Sequence, residues 1–324
     1  MKTRIQHLFF FFLLTFSGFF LGGCSHETTN PSPSSLNKEV SLTEESAETV
    51  APSSRTTTYE PLLPVSGSEI VMENDLVLLD ASHHSKGYIL LDYHGNADKV
   101  KLQITIPDGT TYSYPLMANR TRSFPLSGGN GSYEITVLEH AYDDLYAVVF
   151  SEKLEVTLEN EFSPFLYPNQ FSWYDKTSQA IALGIELSQT SSNDLHYLEQ
   201  VYLWVTKNIS YDNPKAESVT SEYVPNVDDT LSTKKGICFD YASLMVAMLR
   251  SQNIPTKLEV GYSGQVYHAW ISVYLTELGW IDGIIEFDGK SWTLLDPTLA
   301  SNNDKKAVGK YVGDGSNYTV KYHY

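Results

Sequence analysis

An α+β fold is predicted by changes of period along the chain. Residues 60–165 alternate apolar and polar side chains, as half-buried strands do. From about Asp175 the apolar residues recur at helical spacing, and alternation returns at Val266. The 324 residues suffice for about two domains. A hydrophobic content of 42% supports real cores. Lys and Arg number 22 against 39 Asp and Glu, a formal charge of −17. Such a chain is repelled by phosphate backbones, so nucleic acid is excluded as a partner. Two cysteines, Cys24 and Cys238, are too few for a disulfide framework or a zinc ribbon.

The start of the chain reads as an address. Lys2 and Arg4 precede an apolar run from Leu8 to Phe20, which is short for a span that needs about 20 apolar residues. Leu21-Gly22-Gly23-Cys24 follows and resembles a bacterial lipobox. The resemblance implies a signal peptide over 1–23, cleavage before Cys24 and a diacylglycerol anchor on its thiol. The other reading is an ordinary secretory signal with Cys24 incidental. Residues 24–59 are rich in Ser, Thr, Glu and Pro and poor in large apolar side chains, the composition of a disordered tether. Its stretched reach is on the order of 100 Å. The predicted location is extracytoplasmic, lipid-anchored to the cell membrane.

Residues 60–165 predict a small immunoglobulin-like β-sandwich. Val100, Leu102, Ile104 and Ile106 alternate with polar residues, and Pro107-Asp108-Gly109 turns the chain into a return strand from Thr111. Gly128-Gly129-Asn130-Gly131 precedes a strand with Tyr133, Ile135 and Val137. Runs at Leu76–Leu79, Tyr88–Leu91, Leu145–Phe150 and Leu154–Leu158 bring the total to about seven short strands. His83, His84 and His94 are weak metal candidates, because adjacent histidines on a strand point to opposite faces.

The stretch from Glu159 to Tyr174 is aromatic and proline-containing, an apolar connector to a second domain over 166–324. Helices are predicted from Asp175 to Gln189 and after Asn193, a good N-cap. Asn213 to about Thr230 reads as a polar loop.

The chemistry concentrates after Gly236. Cys238 opens a helix marked by Tyr241, Leu244, Met245 and Met248, with Pro255 beyond its end. A helix N-terminus favours thiolate over thiol, whereas a free cysteine can also simply plug a core. His268 and Trp270 share a face of an alternating strand, and Trp270 could serve either a cleft or the core. Phe287-Asp288-Gly289-Lys290 reads as a hairpin turn, and the return strand ends in Asp296-Pro297. Neighbouring strands would let Asp296 hold the His268 tautomer. Taken singly, His268 could be a satisfied sheet histidine and Asp296 a strand-end cap.

Together these residues resemble the transglutaminase-like superfamily. The blocks GICFDYASLMVAMLRSQNIP, YHAWISVY and WTLLDPT carry the resemblance, with Cys, His and Asp in that order. It implies a papain-like core over 166–324, helices packed on an antiparallel sheet. It further implies Cys238 as nucleophile, His268 as general base and acid, Asp296 as orienting carboxylate and no cofactor. The family's side-chain oxyanion donor is less plain here, and Tyr211 is the candidate. No motif predicts a metal: HExxH and an EF-hand loop are lacking, and the calcium of large animal relatives does not transfer on these blocks. The expected function is cleavage or transfer of amide acyl groups through a thioester, hydrolysis being favoured. The expected partners are a peptide or protein substrate, with the cell wall plausible from location, and the membrane through Cys24. The rival is a non-catalytic surface or cell-wall binding lipoprotein with a relic triad.

Overall fold

The computed structural model describes residues 59–263, 265–282, 286–287, 292–293 and 318–324. Eight strands come first, in two four-stranded antiparallel sheets. They are β1 (Val71–Glu73), β2 (Val77–Asp80), β3 (Tyr88–Tyr93), β4 (Val100–Thr105), β5 (Thr111–Leu116), β6 (Arg122–Pro125), β7 (Gly131–Tyr142) and β8 (Leu145–Val156). One sheet runs β1-β2-β3-β6 and the other β5-β4-β7-β8. Pairing β3 with β6 and β4 with β7 interleaves the two sheets, as the B–E and C–F pairs do in an immunoglobulin-like sandwich. The alternation read from sequence is the inward face: Leu102, Ile104, Tyr133, Ile135 and Val137 are buried, opposite Leu79, Ile89, Leu91 and Phe124. Rings meet between the sheets, Tyr114 against Phe124 at 5.0 Å.

Several details differ from the sequence reading, and β1 and β6 are not among the strands it gives. Leu145–Phe150 and Leu154–Leu158 are not separate strands but fall within or at the end of β8. The outer half of the β7–β8 hairpin leaves Tyr142, Leu145 and Val148 exposed, so burial there does not follow the alternation. His83 and His84 lie not on a strand but at a 3-10 turn over His84–Lys86, closed by Gly87 at φ +81°.

The connector is buried, as its composition predicts. Phe171 sits between Tyr114 of the sandwich at 5.3 Å, Tyr324 at 4.7 Å and Phe239 at 5.3 Å. The second half holds α1 (Gln179–Gln189), α2 (Asp194–Asn208), β9 (Ser210–Tyr211), α3 (Asn213–Ser218), α4 (Val227–Thr233), β10 (Lys235–Gly236) and α5 (Cys238–Ser251). Then come β11 (Thr256–Ser263), β12 (Val266–Leu275), β13 (Gly279–Ile281), β14 (Glu286–Phe287), β15 (Trp292–Thr293) and β16 (Tyr318–His323). The Asn193 side chain accepts the His196 N–H at 2.8 Å, so the predicted cap starts α2. The polar stretch 213–230 is not a plain loop: Asp212 and Asn226 cap α3 and α4 through their side chains.

The central element is α5. Every residue from Asp240 to Ser251 is buried, because α1, α2 and α4 and the strands β11 and β12 all pack on it. The sheet beneath it is antiparallel, in the order β13-β12-β11-β16. Arg250 at the far end of α5 is fully buried. It donates to the carbonyls of Thr256, Tyr167 and Tyr324 at 2.6–2.9 Å. Helices on an antiparallel sheet, after a β-sandwich, make the α+β architecture that the sequence predicts. None of the described helices is long and apolar enough to cross a membrane.

Candidate active site

Tyr211 and Cys238 are joined by a short parallel bridge. Strands β9 and β10 pair Gly236 with Tyr211, and the Asp212 N–H donates to the Gly236 carbonyl at 2.9 Å. Two residues past Gly236, Cys238 begins α5, with Ile237 extended as the N-cap residue. The bridge sets the Tyr211 hydroxyl within hydrogen-bonding reach of the Cys238 backbone N–H. Burial pushes the Tyr211 hydroxyl pKa up, and the charges of Cys238 and Asp240 push the same way.

His268 lies on β12 opposite Gly261 of β11. It is 8% exposed and its ring stacks near Trp270, centroids 6.3 Å apart. The next residue makes the link to the thiol: the Ala269 backbone N–H reaches the Cys238 sulfur. Strand β13 pairs with β12 only over Val273–Leu275. Among the described residues, the edge of β12 at His268–Ala269 is therefore open to the start of α5. Trp270, 2% exposed, is a core residue rather than a cleft wall.

The thiol does not follow the simple helix-dipole expectation. Burial pushes the Cys238 pKa up, outweighing the N–H groups of Ala269 and Phe239 that favour thiolate, and the charge of Asp240 adds to the rise. A half turn of dipole, worth about 1 kcal/mol, is smaller than the desolvation of a sulfur anion. A reactive thiolate here needs a cationic partner.

Sequence reasoning missed the group under Cys238. Asp240 is fully buried and accepts the Ile237 N–H at 2.8 Å and the Lys215 Nζ at 2.7 Å. The Tyr223 hydroxyl donates to its other oxygen, and Lys215 Nζ donates to the same hydroxyl. Lys215 also lies 4.4 Å from the Tyr223 ring centroid. A buried carboxylate is tolerated only when it is paired and hydrogen-bonded, and Asp240 is both. Its position three residues into α5 was a sequence signal for back-bonding to the N-cap. Lys215 and Tyr223 lie 25 and 17 residues away and carry no such signal. Gly236 is required for this packing: a Cβ there would sit 2.6 Å from the Asp240 Cβ.

Asp296 and Cys24 lie outside the described residues. The described pairings leave β14 and β15 as a two-stranded pair of their own, apart from β12. No group of three or more metal-binding side chains occurs among the described residues.

The family pattern of the transglutaminase-like superfamily matches residues 181–297. The UPF0252 protein MJ1282 of Methanocaldococcus jannaschii is 36% identical over 89 residues, 24% of this chain and 25% of that one. The kyphoscoliosis peptidase of Mus musculus is 26% identical over 129 residues, 34% of this chain and 19% of that one. The chain thus spans a quarter or less of the length of these relatives. Among solved structures, the periplasmic domain of TgpA from Pseudomonas aeruginosa is 15% identical, with a TM-score of 0.30 over 74% of this chain and all of that one. Residues 181–297, which contain Tyr211, Cys238, His268 and Asp296, thus form a domain of the transglutaminase-like superfamily.

Proposed function

We propose that the chain is a lipid-anchored, extracytoplasmic cysteine enzyme that cleaves amide bonds or transfers their acyl groups. The observation that carries the reading is the contact of the Cys238 sulfur with the N–H of Ala269, the residue after His268. In the proposed reaction His268 takes the thiol proton and the thiolate attacks an amide carbonyl carbon, forming a C–S bond. The Cys238 N–H and the Tyr211 hydroxyl bind the oxyanion. The imidazolium returns its proton to the nitrogen as the C–N bond breaks, leaving a thioester and a free amine. Water attacks the thioester with His268 as base, and a carboxylic acid leaves; an amine in place of water gives a new amide. Asp296 holds the imidazole in the needed tautomer. Peptides or proteins at the cell surface, the wall included, are the proposed substrates, and hydrolysis is favoured because water is abundant outside the cytoplasm.

The test is the alkylation rate of Cys238 against pH in a Cys24→Ser chain, which carries one thiol. The expected result is reaction below neutral pH, and a shift of the profile upward by more than about one unit in His268→Ala. The sign follows from burial, which in the absence of an imidazolium keeps the thiol protonated beyond an ordinary pKa of about 8.5. A thiol that titrates high in both chains would sink the enzyme reading and favour the non-catalytic binding lipoprotein, in line with a thiol held neutral by burial. The anchor is tested by cell fractionation: the native chain sediments with membranes, and Cys24→Ser is found in the soluble fraction. Equal membrane retention of both would refute it.

A further inference from the structure

A cavity of about 610 Å³ lies where the sandwich, the connector and the second half of the chain meet. Its volume falls in the range of small-molecule sites, about 300–1,000 Å³. It is lined by Arg120 and Arg122 from the sandwich and by Asp175 and Asp228 from the start of the helical half. The guanidinium of Arg122 lies flat over the Trp173 ring, 4.1 Å from its centroid, and donates to the Thr121 carbonyl at 2.9 Å. Arg120 donates to the Met117 sulfur at 3.2 Å. Neither arginine makes an ion pair among the described residues.

The two aspartates are held by backbone donors. Asp175 accepts the Thr177 N–H at 2.7 Å, and Asp228 accepts the Ala180 N–H at 2.9 Å. Opposite charges therefore share the wall of one cavity without closing on each other. In a chain of charge −17, two arginines on one cavity wall, without an ion pair among the described residues, are out of keeping with the rest of the surface. Burial and the neighbouring charge of Arg120 lower the Arg122 pKa to about 10, and the charge of Asp175 opposes them only in part.

We infer that this cavity binds a zwitterionic ligand of amino-acid or short-peptide type. Its carboxylate is held by the guanidinium forks of Arg120 and Arg122, and its ammonium faces Asp175 and Asp228. A guanidinium presents two parallel donors to a carboxylate, and the facing aspartates select against ligands that are only anionic. The cavity is separate from Cys238, so the inference stands whether or not Cys238 is a nucleophile.

The experiment is calorimetric titration of the full chain carrying Cys238→Ala, which removes any turnover. The probes are alanyl-alanine, its N-acetyl form and its C-terminal amide. Alanyl-alanine is expected to bind saturably, with each blocking group weakening it by about ten-fold or more, the equivalent of about 1.4 kcal/mol. Arg120→Gln, at an exposed position, is expected to erase the preference for the acid over the amide. Asp175→Asn is expected to erase the preference for the free amine. The inference is overturned if no saturable binding occurs, if the acetylated probe binds as well as the free amine, or if neither substitution changes the binding.

Discussion

The group of Lys215 and Tyr223 around the buried Asp240 shows how one side chain can set the chemistry of another. The Asp240 charge raises the Cys238 pKa, and Lys215 opposes that charge at 2.7 Å. Lys215→Met is therefore expected to move the Cys238 alkylation profile to higher pH, and Asp240→Asn to lower pH. Opposite shifts are the electrostatic signature; equal shifts in one direction would mean that both changes merely loosen the start of α5. Lys215→Met should also destabilise the fold by about 3 kcal/mol, since it leaves a buried charge short of its partner. Cys238 and His268 were legible as candidates in the sequence because each sits in a recognisable local pattern, and Tyr211 only through the family resemblance. Asp240, Lys215 and Tyr223 meet only through tertiary packing, and no local period announces such a meeting.

At the scale of elements, most sandwich strands with one covered face were legible, but β6, four residues long, was not. Val100, Leu102 and Ile104 of β4 alternate because one face is core and the other is wet. In β8 the exposed polar residues Ser151, Glu152 and Lys153 fall between the buried Phe150 and Leu154, so one long strand reads as two. The helices α3 and α4, of six and seven residues, are too short for a periodic stripe; their caps Asp212 and Asn226 were the only local sign of them. The entry into the sandwich depends on Asp80 at the end of β2. Its carboxylate accepts the Gly67 N–H at 2.7 Å and the Ser82 N–H at 3.0 Å. Burial raises its pKa, but these donors outweigh that and hold it below the ordinary value. A lowered carboxylate pKa stabilises the fold above the unfolded pKa of about 3.9, and the contribution is lost as pH falls through the folded value. Asp80→Asn is expected to lower stability by about 1–2 kcal/mol at neutral pH. Urea melts should show that gap closing at acidic pH, where the native carboxyl is protonated as well; a gap that persists there would place its origin in packing rather than charge.

At the scale of the whole molecule, the α+β class and the order of its parts followed from the changes of period, but the way they lock together did not. Arg250 ties α5 to the connector at Tyr167, to Thr256 and to Tyr324. Arg250→Met would strand several buried carbonyls at about 1–3 kcal/mol each. The variant is expected to lose at least about 3 kcal/mol in denaturant melts, and a loss under about 1 kcal/mol would show that water replaces the guanidinium. The strand β16 is equally binding. It pairs with β11, whose other neighbour β12 carries His268, and the Tyr324 ring packs on Tyr112 and Tyr114 of the sandwich. Glu259 of β11, nearly buried, meets His323 at 3.1 Å. A ribosome makes these residues after every other part of the described structure. Until they emerge, β11 lacks one neighbour, the tyrosines of β5 lack a cover and Arg250 lacks an acceptor. Both halves of the chain therefore reach their finished state only once β16 has emerged, and a nascent chain cut short of β16 carries every residue of the thiol site without the frame that holds them.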